Sequence, residues 1–288
     1  MFSSLLFILM SGIIFPDIEM DTEKPAYLLY NQDGEVISYS LLVEKSMESD
    51  LIFFGEIHNS AIAHWLQHEL VKDLSADTLR TTHIGMEMFE ADQQLLIDEY
   101  FGGQIAQSSF ENEARLWDNY QTDYKPVVEF ARENGLRLVA TNIPRRYATS
   151  VYRQGPDVLE SLSSYSKQWI APLPVEVDKE LPGYKNIAQA AHGHGGDNLV
   201  YAQAVKDATM AHFILLNMGA GDRMIHLNGS YHSNNREGIV WYINDAVSGY
   251  EILTINTIVT DDPKDVDPDH LQAADVTLVV PSRMTTTF

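Results

Sequence analysis

Apolar residues gather along this chain in short runs closed by glycine or a polar residue, with longer amphipathic stretches between them. Leu51-Ile52-Phe53-Phe54, Ile84-Gly85-Met86, Leu136-Arg137-Leu138-Val139-Ala140 and Met224-Ile225-His226-Leu227 are runs of this kind, and their length and borders read as buried strands. The stretches over 61–74, 91–100, 124–134 and onward from 144 carry helical periodicity. Ahead of them, Tyr27-Leu28-Leu29-Tyr30 and Val36-Ile37-Ser38-Tyr39 flank Asn31-Gln32-Asp33-Gly34, a hairpin signal. A long helix over 198–218, a helix over 237–247 and strands over 250–258 and 276–280 complete the pattern. Such alternation predicts an α/β fold, a largely parallel sheet covered by helices on both faces. Between 155 and 197 the pattern breaks at Pro156, Pro172, Pro174, Pro182 and Gly193-His194-Gly195-Gly196. A long irregular stretch inside a compact domain reads as a small helical lid or subdomain. The expected organisation is an N-terminal segment 1–21 followed by one domain, 22–288, that carries this insertion.

The candidate chemistry sits where strands end. Gly55-Glu56-Ile57-His58 and Gly229-Ser230-Tyr231-His232 each follow a strand and share the pattern G-x-x-H; in open α/β sheets the C-terminal strand ends deliver side chains into the ligand crevice. Glu87 follows a third strand. After the fourth come Asn142, read as a helix N-cap, Pro144 in the first turn, and Arg145 at the crevice mouth. Two carboxylates, two imidazoles and an arginine can hold a divalent cation or run acid–base chemistry, with the arginine fixing an anion. They can equally serve haem: Tyr147 and Tyr152 lie on the helix that begins at Pro144, a phenolate is an axial donor to ferric haem, and Arg145 or Arg146 can pair with propionates. His192 and His194 lie in the Gly-rich stretch, where each reads as a ligand on the lid or as an exposed side chain. His64 and His68 form H-x-x-x-H, but Trp65 stands where a zinc protease carries Glu. A helical wheel places Ile62, Trp65, Leu66 and Leu70 on the buried face and both histidines away from it, His64 being nearer the strand end.

Charge narrows the partners. Nineteen basic residues against 41 acidic ones give a formal net charge of −22, which repels a phosphate backbone and argues against nucleic acid or an anionic membrane surface. No cysteine is present, which removes disulfides, thiolate metal sites, covalent c-type haem attachment and lipoprotein acylation. Leu5-Leu6-Phe7-Ile8-Leu9-Met10 resembles the apolar region of an export signal without its basic flank, and is short for a span of ~20 apolar residues. A place in the cell envelope is expected. Neither a G-x-G-x-x-G nor a Walker sequence opens a helix, and G-x-S-x-G is absent, which speaks against a dinucleotide enzyme or a serine hydrolase.

Taken together, Gly55-Glu56-Ile57-His58-Asn59 with His64, Gly85-Met86-Glu87-Met88-Phe89, Asn142-Ile143-Pro144-Arg145, Lys206-Asp207-Ala208-Thr209-Met210-Ala211 and Gly229-Ser230-Tyr231-His232 resemble the ChaN-type haem-binding uptake family. That family is similar to the wider group holding the Tiki proteases, the TraB proteins and the erythromycin esterases. The resemblance runs in register over about 51–240. It implies an α/β domain with a small helical part and a role in bacterial iron or haem acquisition. It also implies haem at the interface of a homodimer through a Tyr ligand, carried here onto Tyr147; Arg145, Arg146, His64, His192 and His194 are the further haem-binding candidates read from the residues. Periplasmic or outer-membrane uptake components are the implied partners. Family members are often lipoproteins, whereas Leu9-Met10-Ser11-Gly12 lacks the lipobox cysteine, which argues against a lipid anchor. Relatives with metalloprotease activity use the G-x-x-H histidines and nearby glutamates around a divalent metal. The implied alternative is therefore a metal-dependent peptidase or esterase with Glu56, His58, Glu87 and His232 as ligands and Arg145 beside them.

Overall fold

The computed structural model describes residues 24–190 and 196–288. The apolar stretch 5–10 and the rest of segment 1–21, together with His192 and His194, lie outside the described residues. Among the described residues no helix is long and apolar enough to cross a membrane.

The hairpin forms from β1 (Leu28–Asn31) and β2 (Val36–Ile37), with Gly34 at positive φ in the turn. β2 stops two residues short of the expected strand. Ser38 instead caps a helix, α1 (Tyr39–Glu48), its hydroxyl accepting from the Leu41 N–H, as serine readily does at a helix start. Then follow β3 (Leu51–Glu56), α2 (Ala61–Ser75) and β4 (Thr82–Glu90). Short helices α3 (Gln94–Phe101) and α4 (Gln107–Glu113) and a π turn at Tyr120–Tyr124 lead to α5 (Lys125–Glu133). β5 (Arg137–Asn142) feeds α6 (Arg145–Gln154). After α6 come α7 (Pro182–Ala190), α8 (Gly196–Leu216), β6 (Arg223–Gly229), α9 (Ile239–Ala246), β7 (Ile252–Thr260), α10 (Pro268–Leu271) and β8 (Val276–Pro281).

The eight strands form one sheet in the order β2-β1-β8-β7-β3-β6-β4-β5. From β8 to β5 every pairing is parallel, while β1 pairs antiparallel with both β2 and β8. β3 shows why the central strands read as unbroken apolar runs. Ile52 and Phe54 face the core with Leu66 and Leu70 of α2 and Val127 of α5, while Leu51 and Phe53 face Met210 and Ile214 of α8 and Ile243 of α9. Both faces are dry, as parallel sheets require, and each such side chain contributes roughly 1.5–3 kcal/mol by burial.

One helix is turned from its expected facing. Trp65 is 49% exposed and meets Tyr27 edge-on, whereas His64 is buried with Ala63, Leu66 and Gln67. The wheel counted Trp65 as core because it is apolar; α2 rotates the other way because His64 and Gln67 serve a buried carboxylate, described next.

Candidate functional site

The two G-x-x-H motifs meet because β3 and β6 are neighbours in parallel register, Gly55 opposite Asn228 and Glu56 opposite Gly229. The motifs are staggered by one residue, so both strand ends open on the same crevice. β4 lies on the other side of β6, and its ladder with β6 ends at Met86. Glu87 is thereby released from the ladder beside β6, and its Oε2 accepts from the Gly229 N–H at 2.7 Å. Gly229 itself has no room for a side chain: a Cβ there would fall 2.8 Å from His58 Cε1.

Glu56 is fully buried and fully bonded. Its Oε1 accepts from His58 Nδ1 at 2.9 Å and from the Tyr124 hydroxyl at 2.7 Å, and its Oε2 accepts from Gln67 Nε2 at 2.8 Å with His64 Nδ1 at 3.4 Å. Burial alone would raise its pKa, but the hydrogen bonds and charges of His58 and His64 win and hold it at about 2. The carboxylate fixes the ring of His58 and leaves Nε2 without a partner among the described residues. That ring, its side chain 40% exposed, packs edge-on against Trp117 at 4.9 Å between centroids. Burial pulls the His58 pKa down, yet the Glu56 hydrogen bond and the Glu87 charge raise it overall. An imidazole oriented by a buried carboxylate, with its far nitrogen on a cleft, is equipped for general acid–base work.

His232 is held differently. Its Nδ1 bonds Asp207 on α8, its Nε2 bonds Glu87 Oε1 at 3.1 Å, and Asp207 Oδ2 in turn accepts from the Tyr184 hydroxyl on α7 at 2.8 Å. Desolvation opposes the imidazolium, but Glu87 and Asp207 outweigh it and raise the His232 pKa to about 10. Glu87 is lowered against its own burial, chiefly by the His232 charge. His232 is thus a buried cation between two carboxylates, with both ring nitrogens engaged.

Two lobes share His58, Glu87 and Lys206. The larger, about 760 Å³, adds Ile187 of α7, Gln203 and Tyr231, which is 76% exposed. The smaller, about 270 Å³, adds Trp117, Asn142 and Arg145. Arg145 also borders an open groove of about 930 Å³ along α6, with Arg115, Arg146, Thr149 and Arg153. The structure therefore brings His58, Glu87, Arg145 and His232 to one crevice, with Glu56 directly behind His58.

Other expected residues lie elsewhere. His64 backs Glu56 and Asp123 from inside α2, so it supports the crevice wall and does not reach the ligand space. Tyr147, 9% exposed, packs among Ile143, Val151, Ala202 and Val205, with the Arg146 guanidinium 4.4 Å above its ring and Arg146 Nη2 donating to its hydroxyl at 3.3 Å. Asn142 does not cap α6; Pro144 holds that position, and Asn142 Nδ2 donates to the Glu87 carbonyl at 3.0 Å. The four side chains expected around a metal are spent largely on one another. Among the described residues, no group of three or more His, Asp or Glu is arranged to hold a metal ion.

Asp207, Tyr124, Gln67 and Lys206 were not anticipated as site residues. Asp207 left a trace in the sequence: Val200, Ala204, Asp207, Ala211 and Ile214 form one buried stripe of α8, and a carboxylate on an apolar stripe needs a partner. Tyr124 and Gln67 left none, because their partner lies on another element.

Comparison with solved structures places the fold. ChaN of Campylobacter jejuni, whose structure shows cofacial haem binding, is 20% identical over 89% of this chain and 97% of that one, with a TM-score of 0.68. A Bacillus cereus protein (11% identity, 84% of this chain and 90% of that one, TM-score 0.51) and a succinoglycan biosynthesis protein (11%, 84% and 90%, 0.50) share the fold more distantly. No curated protein matches this sequence. Residues 42–243 match the family described as haem-binding uptake, Tiki superfamily, ChaN. Because that span covers well over half the chain and takes in both G-x-x-H strand ends, this protein belongs to the ChaN family of haem-binding uptake proteins within the Tiki superfamily.

Proposed function

We propose that this chain binds haem in bacterial iron or haem uptake at the cell envelope, at an interface between two copies, with Tyr147 as axial ligand. Family membership supports haem as the ligand. The observation that carries the reading on this chain is the α6 groove: Arg145 and Arg153 stand two turns apart on one helix face, neither bonded to a described residue, beside Trp117 and Leu116. Arginine forks fit propionates, and the aromatic and aliphatic wall suits the macrocycle. A cofacial pair, as in the Campylobacter protein, stacks two rings; one groove per chain then calls for two copies. Arg146 must swing off Tyr147 before the phenol can reach iron.

The test is spectroscopic. Tyr147→Phe is expected to abolish the charge-transfer band of the ferric haem complex and weaken haem retention, with little change in stability, since only a surface-edge hydroxyl bond is lost. An unaltered spectrum would reassign the ligand, and exposed Tyr231 at the crevice is the next phenol to test.

A second reading, a hydrolase, is favoured by the Glu56–His58 pair and its free Nε2. It assigns His58 as general acid–base and needs no metal ligation by Glu56 or Glu87. Gly229→Ala tests it, because the added methyl drives the His58 ring off its seat while φ and ψ at this site suit alanine. Any wild-type turnover of a small ester should fall at least about tenfold, with a stability loss of roughly 1.5–3 kcal/mol for the hydrogen bond to a charged group. Turnover that survives the substitution would remove His58 from the chemistry.

A further inference from the structure

The small lobe contains more positive charge than its own structure uses. Lys206 and Arg145 both face it, and neither makes a hydrogen bond or ion pair with a described residue. This is unusual in a chain of net charge −22, where most exposed basic groups have acidic partners within reach. The two carboxylates in the wall are already committed: Glu87 to His232 and the Gly229 N–H, Glu90 to Arg115 at 2.9 Å. They do not neutralise the pair. His58 presents its free Nε2 to the same space, and Glu56 and Glu87 favour its protonated form. An independent sign of a missing ligand comes from Asn142. Its Nδ2 is fixed on the Glu87 carbonyl, while its Oδ1, on a residue that borders this lobe, is buried without a hydrogen-bond partner among the described residues. A buried amide oxygen left unpaired is costly, so a donor is wanted there.

We propose that this lobe, bounded by Lys206, Arg145, His58 and Asn142, is a binding site for a small oxyanion that also carries an O–H donor, the chemistry of hydrogen phosphate or a hydrogen-bearing phosphoryl group. Lys206, Arg145 and His58 supply charge and N–H donors to the unprotonated oxygens. Asn142 Oδ1 accepts from the protonated one. Trp117, Met88, Ile143 and Ala148 make up the apolar part of the wall, which lowers the local dielectric and strengthens these contacts. The site adjoins the α6 groove assigned to haem, with Arg145, Glu90 and Trp117 bordering both, and the inference does not require haem to bind.

The experiment uses inorganic phosphate as probe on the full, haem-free chain near neutral pH, followed by calorimetry and by the ring resonances of His58. Phosphate is expected to bind saturably and to move the His58 signals. Lys206→Met and Arg145→Leu should each weaken it about tenfold or more, both being accessible side chains whose loss spares the fold. Sulfate, of like shape but without a proton to donate at this pH, should bind at least about tenfold more weakly than phosphate. Acetate in place of phosphate separates a carboxylate preference from a phosphoryl one, and acetate binding as tightly as phosphate would overturn the assignment. So would sulfate binding equal to phosphate, no saturable binding by the wild type, or variants that bind as the wild type does. Haem titration of the same samples, read in the Soret region, is scored separately: phosphate binding without a haem spectrum would keep this inference and end the haem reading, and the reverse result would do the opposite.

Discussion

Replacing His232 by alanine is expected to lower the unfolding free energy by about 3–5 kcal/mol, the cost of removing one partner from a buried ion group. The magnitude follows from what remains. Asp207 and Glu87 are both buried, at 0% and 5% exposure, and both lose the cation between them. Asp207 keeps only the Tyr184 hydroxyl, and Glu87 keeps only the Gly229 N–H. Neutralising one carboxylate should recover part of the loss, so the double variant His232→Ala/Asp207→Asn should be more stable than His232→Ala alone. Urea unfolding measures both. A loss of under about 1 kcal/mol for His232→Ala would mean that the buried charges are compensated elsewhere.

Stability should be highest near pH 6.5, with opposite groups limiting each side: below it the buried His226, whose pKa desolvation lowers to about 4, resists the proton that the unfolded chain accepts and so disfavours the fold. His232 has a folded pKa of about 10 against an ordinary 6.5, so its contribution is complete below 6.5 and declines as pH rises toward 10. Across that window one proton is released on unfolding, so stability falls by about 1.4 kcal/mol per pH unit. His58, also raised, adds in the same direction. On the acid side Glu56 is lowered from 4.5 to about 2, so its contribution is present above 4.5 and is lost as pH falls through 2; Glu87 acts in the same sense. Urea midpoints from pH 3 to 10 would trace the curve. In His232→Gln the alkaline decline should flatten, and a decline as steep as in the wild type would assign it to other groups.

The parallel strands were legible in sequence because burial on both faces makes them continuous apolar runs, as β3 and β6 illustrate, and because Gly55 and Gly229 punctuate their ends. The helix start at Ser38 was hidden by Val36 and Ile37, whose β-branched side chains suit a strand that stops early. The facing of α2 was misread because amphipathicity assumes a dry interior, and here His64 and Gln67 are pulled inward by Glu56. For the crevice, strand-end position was enough to gather His58, Glu87, Arg145 and His232. What local pattern could not supply is which carboxylate holds which histidine, since Asp207 reaches His232 from a helix 25 residues earlier. Tyr147 shows the same limit: its place after Arg145 and Arg146 was plain, but its burial against α8 depends on Ala202 and Val205, small enough to admit the ring.

The hydroxyl of Tyr184 on Asp207, with the Glu237 carboxylate accepting from the Gly183 N–H at 2.6 Å, has a consequence for how such proteins can be recombined. α7 is wired into the charge balance of the crevice floor, so the stretch that carries it is not interchangeable. A chimera that imports this stretch from a relative leaves Asp207 on His232 but without its second hydrogen-bond donor unless the graft brings a phenol to the same spot. Compatibility between donor and host would therefore be decided by one hydroxyl group more than by the length or overall likeness of the transplanted segment.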